Sequence, residues 1–537
     1  MCELSELPPK EVKPENDWTL MFFFAGDSHL SPSMISQLKA IKDAGFQKNT
    51  TVLIHFDPNE AGAGTRTFEV NRKRKRERGT VIGDGLNPFV RNLKEDVVDG
   101  VPTKANASEA LQQFLDFGLR HYTAKHYMLF LVGHGMIVGN DAFLPDSRPN
   151  TAITLERLGR ILADFSGGVA LRDGTFELVG LHSCSMSAVE VVYQLKGTAR
   201  YLMATEGVSF VSSWPYRQLM KKIFKTIDEA KQDHADVDVD RLVSELQRLS
   251  LHNSIDFMFS GLSADLCLCS LEPKQVEELT APLQNLTKAL KKGLRNLQSR
   301  ELILMAHLRA QSYWQETYTD IYDFCCCLER QCRHDNDIQE EMLKACEAVR
   351  SKLEESNKRK RLIVQSDHFG PLYQYSHGLS VYFPWSRPIE DDFQENTSKS
   401  ILGRYENYEF TKALGQESWL SFLKAYFVET CRNPREGEDQ GAVAGEPRKA
   451  GITSTVPSPN GGGIPAIKAA SNISSEALVP DKVSPALQKP APPLGGGAGC
   501  TCQTVKNFPM YFSRSPRASL DPNEETVSCR QPAPAFR

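Results

Sequence analysis

The stretch that decides the fold is Glu177-Leu-Val-Gly-Leu-His-Ser-Cys-Ser-Met186, an apolar run that ends in small polar residues. Residues 187–195 then have the apolar spacing of an amphipathic helix. Cys184 is therefore expected at the carboxyl end of a strand and the amino end of a helix, where unpaired N–H groups stabilise a thiolate. Cysteines buried for packing are more typical inside an apolar run, so this pattern makes Cys184 a candidate reactive thiol.

Other apolar runs alternate with helical patterns on both sides of this stretch. The predicted buried strands, besides the one before Cys184, are 18–25, 51–56, 126–132 and 201–205. Strands that are apolar throughout are typical of a parallel sheet with helices on both faces. We therefore predict an α/β fold, a three-layer sandwich with a mostly parallel central sheet.

Composition divides the chain into four predicted segments. Residues 1–17 are polar, 18–266 contain the alternating strands and helices, and 267–430 are helix-rich with a further strand at 378–384. Gly, Pro, Ser and Ala dominate 433–537. Burial cannot offset the ordering entropy of such a composition, so this last segment is predicted to be a disordered tail.

Charge and cysteine usage exclude several classes of function. The net charge of −4 argues against a general nucleic-acid-binding protein. No apolar run approaches the ~18 residues that a membrane span requires, and residues 1–17 lack the pattern of a secretory leader. Thirteen irregularly spaced cysteines do not suggest a disulfide framework. We expect a monomeric cytoplasmic protein that binds neither nucleic acid nor membranes.

A candidate partner for Cys184 lies fifty positions earlier, at His134, between Gly133 and Gly135. The carboxyl ends of parallel strands face one edge of a sheet, so imidazole and thiol converge if their strands are neighbours. A cysteine nucleophile requires a base and donors for the developing oxyanion. The N–H groups of Gly135 and Cys184 are the candidate donors. The alternative is a core histidine with an unreactive thiol.

The order of histidine before cysteine resembles the caspase-type arrangement. The chain from about 18 to 430 resembles, more specifically, the clostripain family of cysteine peptidases, relatives of caspases, legumain and gingipain. The motifs that carry the resemblance are Trp18 to Ala25 with Asp27 and Leu30, His126-Tyr127, Ser183-Cys184-Ser185-Met186 with Glu190, Trp214-Pro-Tyr216, Leu262-Ser-Ala-Asp-Leu266, Tyr322-Asp-Phe324 and Gly378-Leu-Ser-Val-Tyr-Phe-Pro384.

This resemblance implies a caspase-like fold with a helical C-terminal extension. It also implies an endopeptidase that acts on peptides or proteins through a His134–Cys184 dyad and a thioester acyl-enzyme. Many members cleave after Arg or Lys, using an acid two residues before the cysteine, but His182 occupies that position here. Candidate substrate-pocket residues are therefore His182, Glu206 and Asp146. His182 is alternatively a capping residue, and Glu206 an acceptor for backbone N–H groups.

We predict no cofactor, although the family's namesake uses calcium, for which acids such as Asp141 and Asp146 are candidates. Some members are activated by cleavage between the two catalytic residues, where this chain has Arg148 and Arg172. Cys325, Cys326 and Cys327 are predicted to lie on a packed helix rather than in a zinc site. The rival hypotheses for function are a catalytically degenerate member that serves as an interaction scaffold and an amidase for small molecules.

Overall fold

A central eight-stranded sheet organises the chain in the computed structural model. The structure describes residues 16–26, 30–58, 66–70, 106–136, 138, 143–147, 150–253, 261–314, 316–333, 336–354, 361–388 and 400–431. The predicted tail at 433–537 and the polar segment before residue 16 lie outside these residues.

The strands are β1 Asn16–Gly26, β2 Thr50–Pro58, β3 Arg66–Glu69, β4 Ala124–Val132, β5 Phe143–Ser147, β6 Asn150–Ile153, β7 Thr175–His182, β8 Tyr201–Ala204, β9 Ala264–Ser270, β10 Ser312–Tyr313, β11 Tyr318–Asp320, β12 Ile363–Phe369 and β13 Ser380–Tyr382. The large sheet has the order β12-β9-β8-β7-β4-β1-β2-β3. Its five central strands, from β8 to β2, are parallel, and antiparallel strands close both edges. The predicted mostly parallel sheet is confirmed.

Alternation along the strands gives the sheet two buried faces. In β1, Met21 and Phe23 pack into one core, whereas Leu20, Phe22 and Phe24 pack into the other. Successive side chains of a strand point to opposite faces, so an entirely apolar strand requires helices on both sides.

The helices are α1 Ser31–Ala44, α2 Ala107–His121, α3 Leu155–Ala170, α4 Val189–Leu195, α5 Tyr216–Gln232, α6 Val239–Asn253, α7 Pro273–Glu277, α8 Thr280–Leu294, α9 Leu297–Arg309, α10 Ile321–Gln331, α11 Asp337–Leu353, α12 Ile401–Tyr405, α13 Glu409–Leu414 and α14 Trp419–Cys431. Helices α2, α3 and α4 contribute to the core that contains Met21. Helices α1, α5 and α6 contribute to the opposite core. The three-layer prediction is thus confirmed. No helix in the described ranges is long and apolar enough to cross a membrane.

The C-terminal part contains helices α7–α14 and also adds to the sheet. Strand β12 pairs with β9, while β13 pairs with β11 in a separate three-stranded sheet. Strand β12 was missed by the sequence analysis because its sequence, Ile-Val-Gln-Ser-Asp-His-Phe, is largely polar and only partly buried. An edge strand does not require an apolar run. The predicted segment boundary at residue 266 remains a prediction.

Two further sequence patterns concern strands. The apolar pattern of 255–266 predicts a strand; residues 254–260 lie outside the described part, and the strand that is seen there is β9, from Ala264 to Ser270. Residues 65–82 have the pattern of a hairpin, but its second strand, 79–82, also lies outside the described residues, so the hairpin stays a prediction; β3 pairs antiparallel with β2. The three adjacent cysteines lie on α10, as predicted.

Candidate functional site

The register of two neighbouring strands brings the predicted catalytic pair to one edge of the sheet. Strands β4 and β7 are parallel, and Val132 pairs with His182. His134 and Cys184 therefore each lie two residues beyond a matched pair. The N–H of Gly133 donates to the carbonyl oxygen of His182 at 3.3 Å, and the N–H of Met136 donates to that of Cys184 at 2.9 Å. The condition for convergence, that the two strands are neighbours, is therefore met.

The turns that follow these strands touch through their backbones. A Cβ atom at Gly135 would lie 2.0 Å from the carbonyl oxygen and 2.5 Å from the nitrogen of Cys184. Real Cβ contacts are far longer, so this approach requires glycine. Both turns also contain a left-handed residue other than glycine, Met136 with φ 72° and Ser185 with φ 52°. Such backbone conformations are uncommon and persist where surrounding contacts hold them.

The loop that follows β8 lies against the thiol of Cys184, which is a half-buried residue. The N–H of Ser209 donates to Sγ at 3.4 Å, and the thiol donates to the carbonyl oxygen of Ser209 at 3.6 Å. Burial raises the pKa of the Cys184 thiol, and the nearby carboxyl of Asp265 adds to the rise, against the lowering effect of the Ser209 N–H. The structure therefore places Cys184 in a setting that favours the neutral thiol.

The predicted stabilisation of a Cys184 thiolate by a helix amino end is wrong for this structure. Helix α4 begins at Val189, five residues after the cysteine. The N–H groups of Met186 and Ser187 instead donate to the carbonyl oxygen of Thr205, at 2.9 and 2.8 Å. The connection is thus an irregular turn fastened to the end of β8, and no helix dipole acts on the thiol at close range.

His182 is buried beneath the site and is 1% exposed. Its ring stacks on Trp214, with centroids 4.4 Å apart and planes 5° from parallel. Nε2 is 2.8 Å from the carbonyl oxygen of Phe210 and must donate to it, so Nδ1 accepts from the hydroxyl of Tyr216 at 2.8 Å. Burial lowers the pKa of His182 to about 3. The ring is a neutral link to residues 210–216, and the structure does not expose it beside Cys184.

Glu206 is completely buried and works as an acceptor. Its Oε2 accepts from the Tyr313 hydroxyl at 3.2 Å, the Ser376 hydroxyl at 2.6 Å and the Gly378 N–H at 2.8 Å. Burial raises the pKa of Glu206 well above its usual value, and the nearby carboxyl of Asp320 adds to the rise. These contacts match the structural alternative for Glu206, an acceptor for backbone N–H groups.

Most of the other residues singled out by the sequence lie wholly or partly outside the described part of the chain. Asp146 lies on β5, and its side chain is outside the described part of the structure, as are Asp141 and Arg148. Arg172 lies in the tight turn between α3 and β7, where Nη1 donates to the carbonyl oxygen of Gly168 at 3.0 Å. Within the described ranges, no group of three or more His, Cys, Asp or Glu side chains is arranged to hold a metal ion.

Two residues that hold the loop after β8, Asp265 and Tyr373, were given no role from the sequence. Asp265 accepts from the N–H groups of Glu206 and Gly207 at 2.6 and 3.0 Å, and its pKa is raised by burial to about 7. Tyr373 accepts from the N–H of Val208 at 3.0 Å. The motif Leu262-Ser-Ala-Asp-Leu266 contained a signal for Asp265, whereas no pattern singled out Tyr373.

A small pocket opens between the loop after β8, the end of α6 and the start of β9. Ser209, which contacts the Cys184 thiol, is one of its lining residues. The rest of the lining is mainly apolar or hydroxylic, for example Phe210, Trp214 and Ser250. Asp265 is the single charged side chain among the lining residues that the structure describes.

Comparison with known proteins identifies the family. The model of the clostripain family, Peptidase_C11, matches residues 23–424, which is more than half of the chain. No curated protein matches. Solved structures with similar folds include an inactive zymogen C11 protease from Parabacteroides distasonis, at 18% identity and a TM-score of 0.47, covering 75% of this chain and 100% of that one. Another is a secreted C11 cysteine protease from Bacteroides thetaiotaomicron in complex with an irreversible peptide inhibitor, at 14% identity and a TM-score of 0.47, covering 76% and 99%. The family match decides the class: this chain belongs to the clostripain family and is a cysteine-type peptidase.

Proposed function

We propose that this protein is an endopeptidase in which Cys184 is the nucleophile and His134 is the general acid and base. The observation that carries the proposal is the register of β4 and β7, which leaves both residues two positions past the Val132–His182 pair. The two turns are also in backbone contact through Gly135 and Cys184. This is the juxtaposition that a thiol and its base require.

The proposed reaction forms and breaks one covalent bond to the enzyme. The Cys184 thiol gives its proton to His134 as Sγ attacks the carbonyl carbon of the peptide bond. The C–N bond then breaks, and His134 returns the proton to the departing amine, which leaves a thioester on Cys184. A water molecule, deprotonated by His134, attacks this thioester and releases the carboxylic acid and the thiol.

The N–H groups of Gly135 and Cys184 are the proposed donors to the oxyanion. Their atoms lie in the two touching turns, and the close approach that glycine allows is what brings the donors near each other. Fixed backbone donors directed at a developing negative charge commonly contribute about 10²–10³-fold to the rate. All steps use groups of the chain and one water molecule, so we propose a reaction without a cofactor; a calcium titration of peptide turnover tests this.

We propose that the residue before the scissile bond is not selected by His182 or Glu206. The first is neutral and hydrogen-bonded on both ring nitrogens, and the second accepts three hydrogen bonds on one oxygen. A preference for Arg or Lys would then need another acid, and Asp146 is the candidate left from the sequence. Peptides or proteins are the proposed substrates.

A reducing, cytoplasmic location and a monomeric state are also proposed. Eight cysteines in the described ranges are free thiols, Cys184, Cys267, Cys269, Cys325, Cys326, Cys327, Cys332 and Cys346. Free thiols are the usual state in a compartment that reduces disulfides. Sedimentation of the full chain at micromolar concentration tests the monomer.

The rival proposal is a non-cleaving scaffold with the same fold. One observation favours it, namely that Ser209 covers the thiol and that burial raises the pKa of Cys184. The test is incubation of the purified full chain and its Cys184→Ala variant with a peptide library, followed by mass spectrometry. We expect cleavage by the wild-type chain alone. Equal turnover by both proteins would overturn the assignment of Cys184. Turnover of short amides, tested in parallel, without cleavage of any peptide would favour the amidase.

A further inference from the structure

We propose that residues 207–210 form a strap that closes over the Cys184 thiol and must lift before a substrate binds. Asp265 and the N–H of Ser185 anchor its first residue, Gly207, and Tyr373 and His182 fasten the residues that follow. This inference rests on the proposed function, and it adds a closed state of the site and the side chains that maintain it. The strap has no helical or strand structure and connects β8 to the segment before α5.

The strap lies within contact distance of the sulfur atom at which the reaction takes place. The backbone nitrogen and oxygen of Ser209 are 3.4 and 3.6 Å from Sγ of Cys184. A carbonyl carbon under attack has to approach to roughly 3–3.5 Å from the sulfur. The peptide group of Ser209 is therefore in contact with the nucleophile that a substrate must reach.

The first fastener is Tyr373, which comes from the C-terminal part of the fold. Its hydroxyl accepts from the N–H of Val208 at 3.0 Å. Its ring lies against the backbone of Gly207, where a Cβ atom would be 2.4 Å from the nearest ring atom. Only glycine lets the strap come this close to the ring, and only the hydroxyl bonds to it.

The second fastener holds the other end of the strap. The carbonyl oxygen of Phe210 accepts from Nε2 of His182 at 2.8 Å and from the hydroxyl of Ser213 at 2.7 Å. His182 thus acts on the site through the strap and is a positioning residue. This role accounts for a neutral buried imidazole two residues before the nucleophile.

The closed strap also contains an unmet hydrogen-bonding group. Among the described side chains, the Ser209 hydroxyl is buried without a hydrogen-bond partner. A buried polar group without a partner penalises the state that buries it. Opening restores water to this hydroxyl. The closed strap is stabilised by only a few ordinary hydrogen bonds, and the buried hydroxyl offsets part of that stabilisation. A bound peptide is therefore able to displace the strap.

The test measures access to the thiol and needs no turnover. The Tyr373→Phe variant removes the hydroxyl and keeps the ring; Tyr193→Phe is its matched control, because Tyr193 bonds to Thr280 away from the strap at 3.0 Å. Full-length proteins are treated with iodoacetamide, and the rate of Cys184 alkylation is followed by intact mass and peptide mapping. Loss of one ordinary hydrogen bond should raise the rate in Tyr373→Phe about fivefold.

A second variant tests the other end. Ser213→Ala removes one donor to the Phe210 carbonyl oxygen and should also speed the alkylation of Cys184. If the enzyme cleaves peptides, Tyr373→Phe should lower KM by a similar factor and leave kcat nearly unchanged, because only the population of open strap changes. Alkylation rates equal to wild type in both variants, or an equal rise in Tyr193→Phe, would overturn the strap. Peptide cleavage without a strap effect would leave the proposed function standing and contradict the strap. A strap effect without peptide cleavage would support the strap and contradict the proposed function.

Discussion

Gly135 and Cys184 meet backbone to backbone at the ends of two parallel strands, so closely that a methyl group on Gly135 would lie 2.0 Å from the Cys184 carbonyl oxygen. The contact meets two requirements of the proposed chemistry. It aligns the two turns that carry His134 and Cys184, and it brings two candidate oxyanion donors together. It also makes the site sensitive to a single carbon atom.

The Gly135→Ala variant should lose activity and stability together. The added methyl group must displace the Cys184 backbone, and overpacking of this kind typically costs about 1–3 kcal/mol. A displacement near 1 Å in the catalytic groups lowers kcat/KM by up to ~10²-fold. Both quantities can be measured by peptide turnover and by urea unfolding.

Gly167→Ala is the control for this variant. Gly167 lies within α3, and nothing is within 4 Å of its potential Cβ atom. Alanine in a helix is favoured over glycine by roughly 0.5–1 kcal/mol, so this variant should be as active as wild type and slightly more stable. Wild-type kcat/KM in Gly135→Ala would contradict the importance of the contact.

Substitutions at Glu206 distinguish two roles for its carboxyl group, selection of the substrate residue and acceptance of structural hydrogen bonds. Burial raises the pKa of Glu206 well above its usual value, so glutamine is a close substitute for the neutral carboxyl group. We expect Glu206→Gln to keep the wild-type cleavage profile. Glu206→Ala should lower the free energy of unfolding by about 2–4 kcal/mol, because buried donors are left without an acceptor.

The readout is a cleavage profile with peptides that vary before the scissile bond, alongside urea unfolding. Glu301→Gln, on the exposed side of α9, is the control for loss of a carboxylate. A selective fall in cleavage after Arg or Lys in Glu206→Gln, with full stability, would instead assign Glu206 to the substrate pocket.

The buried His182 should make stability depend on pH. Burial lowers its pKa to about 3, whereas an unfolded histidine titrates near 6.5. Between these values the unfolded chain binds a proton that the native chain does not, so this residue's contribution to stability falls as the pH falls. The limiting slope is about 1.4 kcal/mol per pH unit.

His182→Asn isolates this contribution from other titrating groups. Asp265 acts in the opposite direction, because burial raises its pKa to about 7 and stability from that group falls as pH rises. That effect is present in both proteins and cancels in their difference. The destabilisation caused by His182→Asn, measured by urea unfolding, should therefore be largest at pH 7.5 and shrink by about 2 kcal/mol by pH 5. A difference that is constant with pH would show that His182 titrates normally.

The sequence predicts the fold correctly where local pattern and global fold coincide. The apolar runs of β1, β4 and β7 could only be buried on both faces, which decided the layers and the edge at which His134 and Cys184 lie. Local pattern does not predict side chains whose hydrogen-bond partners are remote in sequence. His182 is buried because the Phe210 carbonyl and the Tyr216 hydroxyl, 28 and 34 positions away, satisfy its ring.

The same limit applies to the turn after Cys184. The apolar spacing of 187–195 suggested a helix directly after the cysteine, but Met186 and Ser187 direct their N–H groups to Thr205. That acceptor is available only because β8 lies beside β7 in the sheet. Neighbouring strands, rather than local propensity, therefore decide where α4 begins.

The most direct test of the account is covalent capture of Cys184 by a peptide acyloxymethyl ketone. The wild-type chain and its His134→Ala variant are compared by intact mass and peptide mapping, with His121→Ala, an exposed histidine of α2, as the control. General-base catalysis typically contributes about 10²–10⁴-fold. We predict one adduct per chain, on Cys184, formed at the wild-type rate in His121→Ala and at least ~100-fold more slowly in His134→Ala. An adduct at another residue, or equal rates in all three proteins, would contradict the His134–Cys184 dyad.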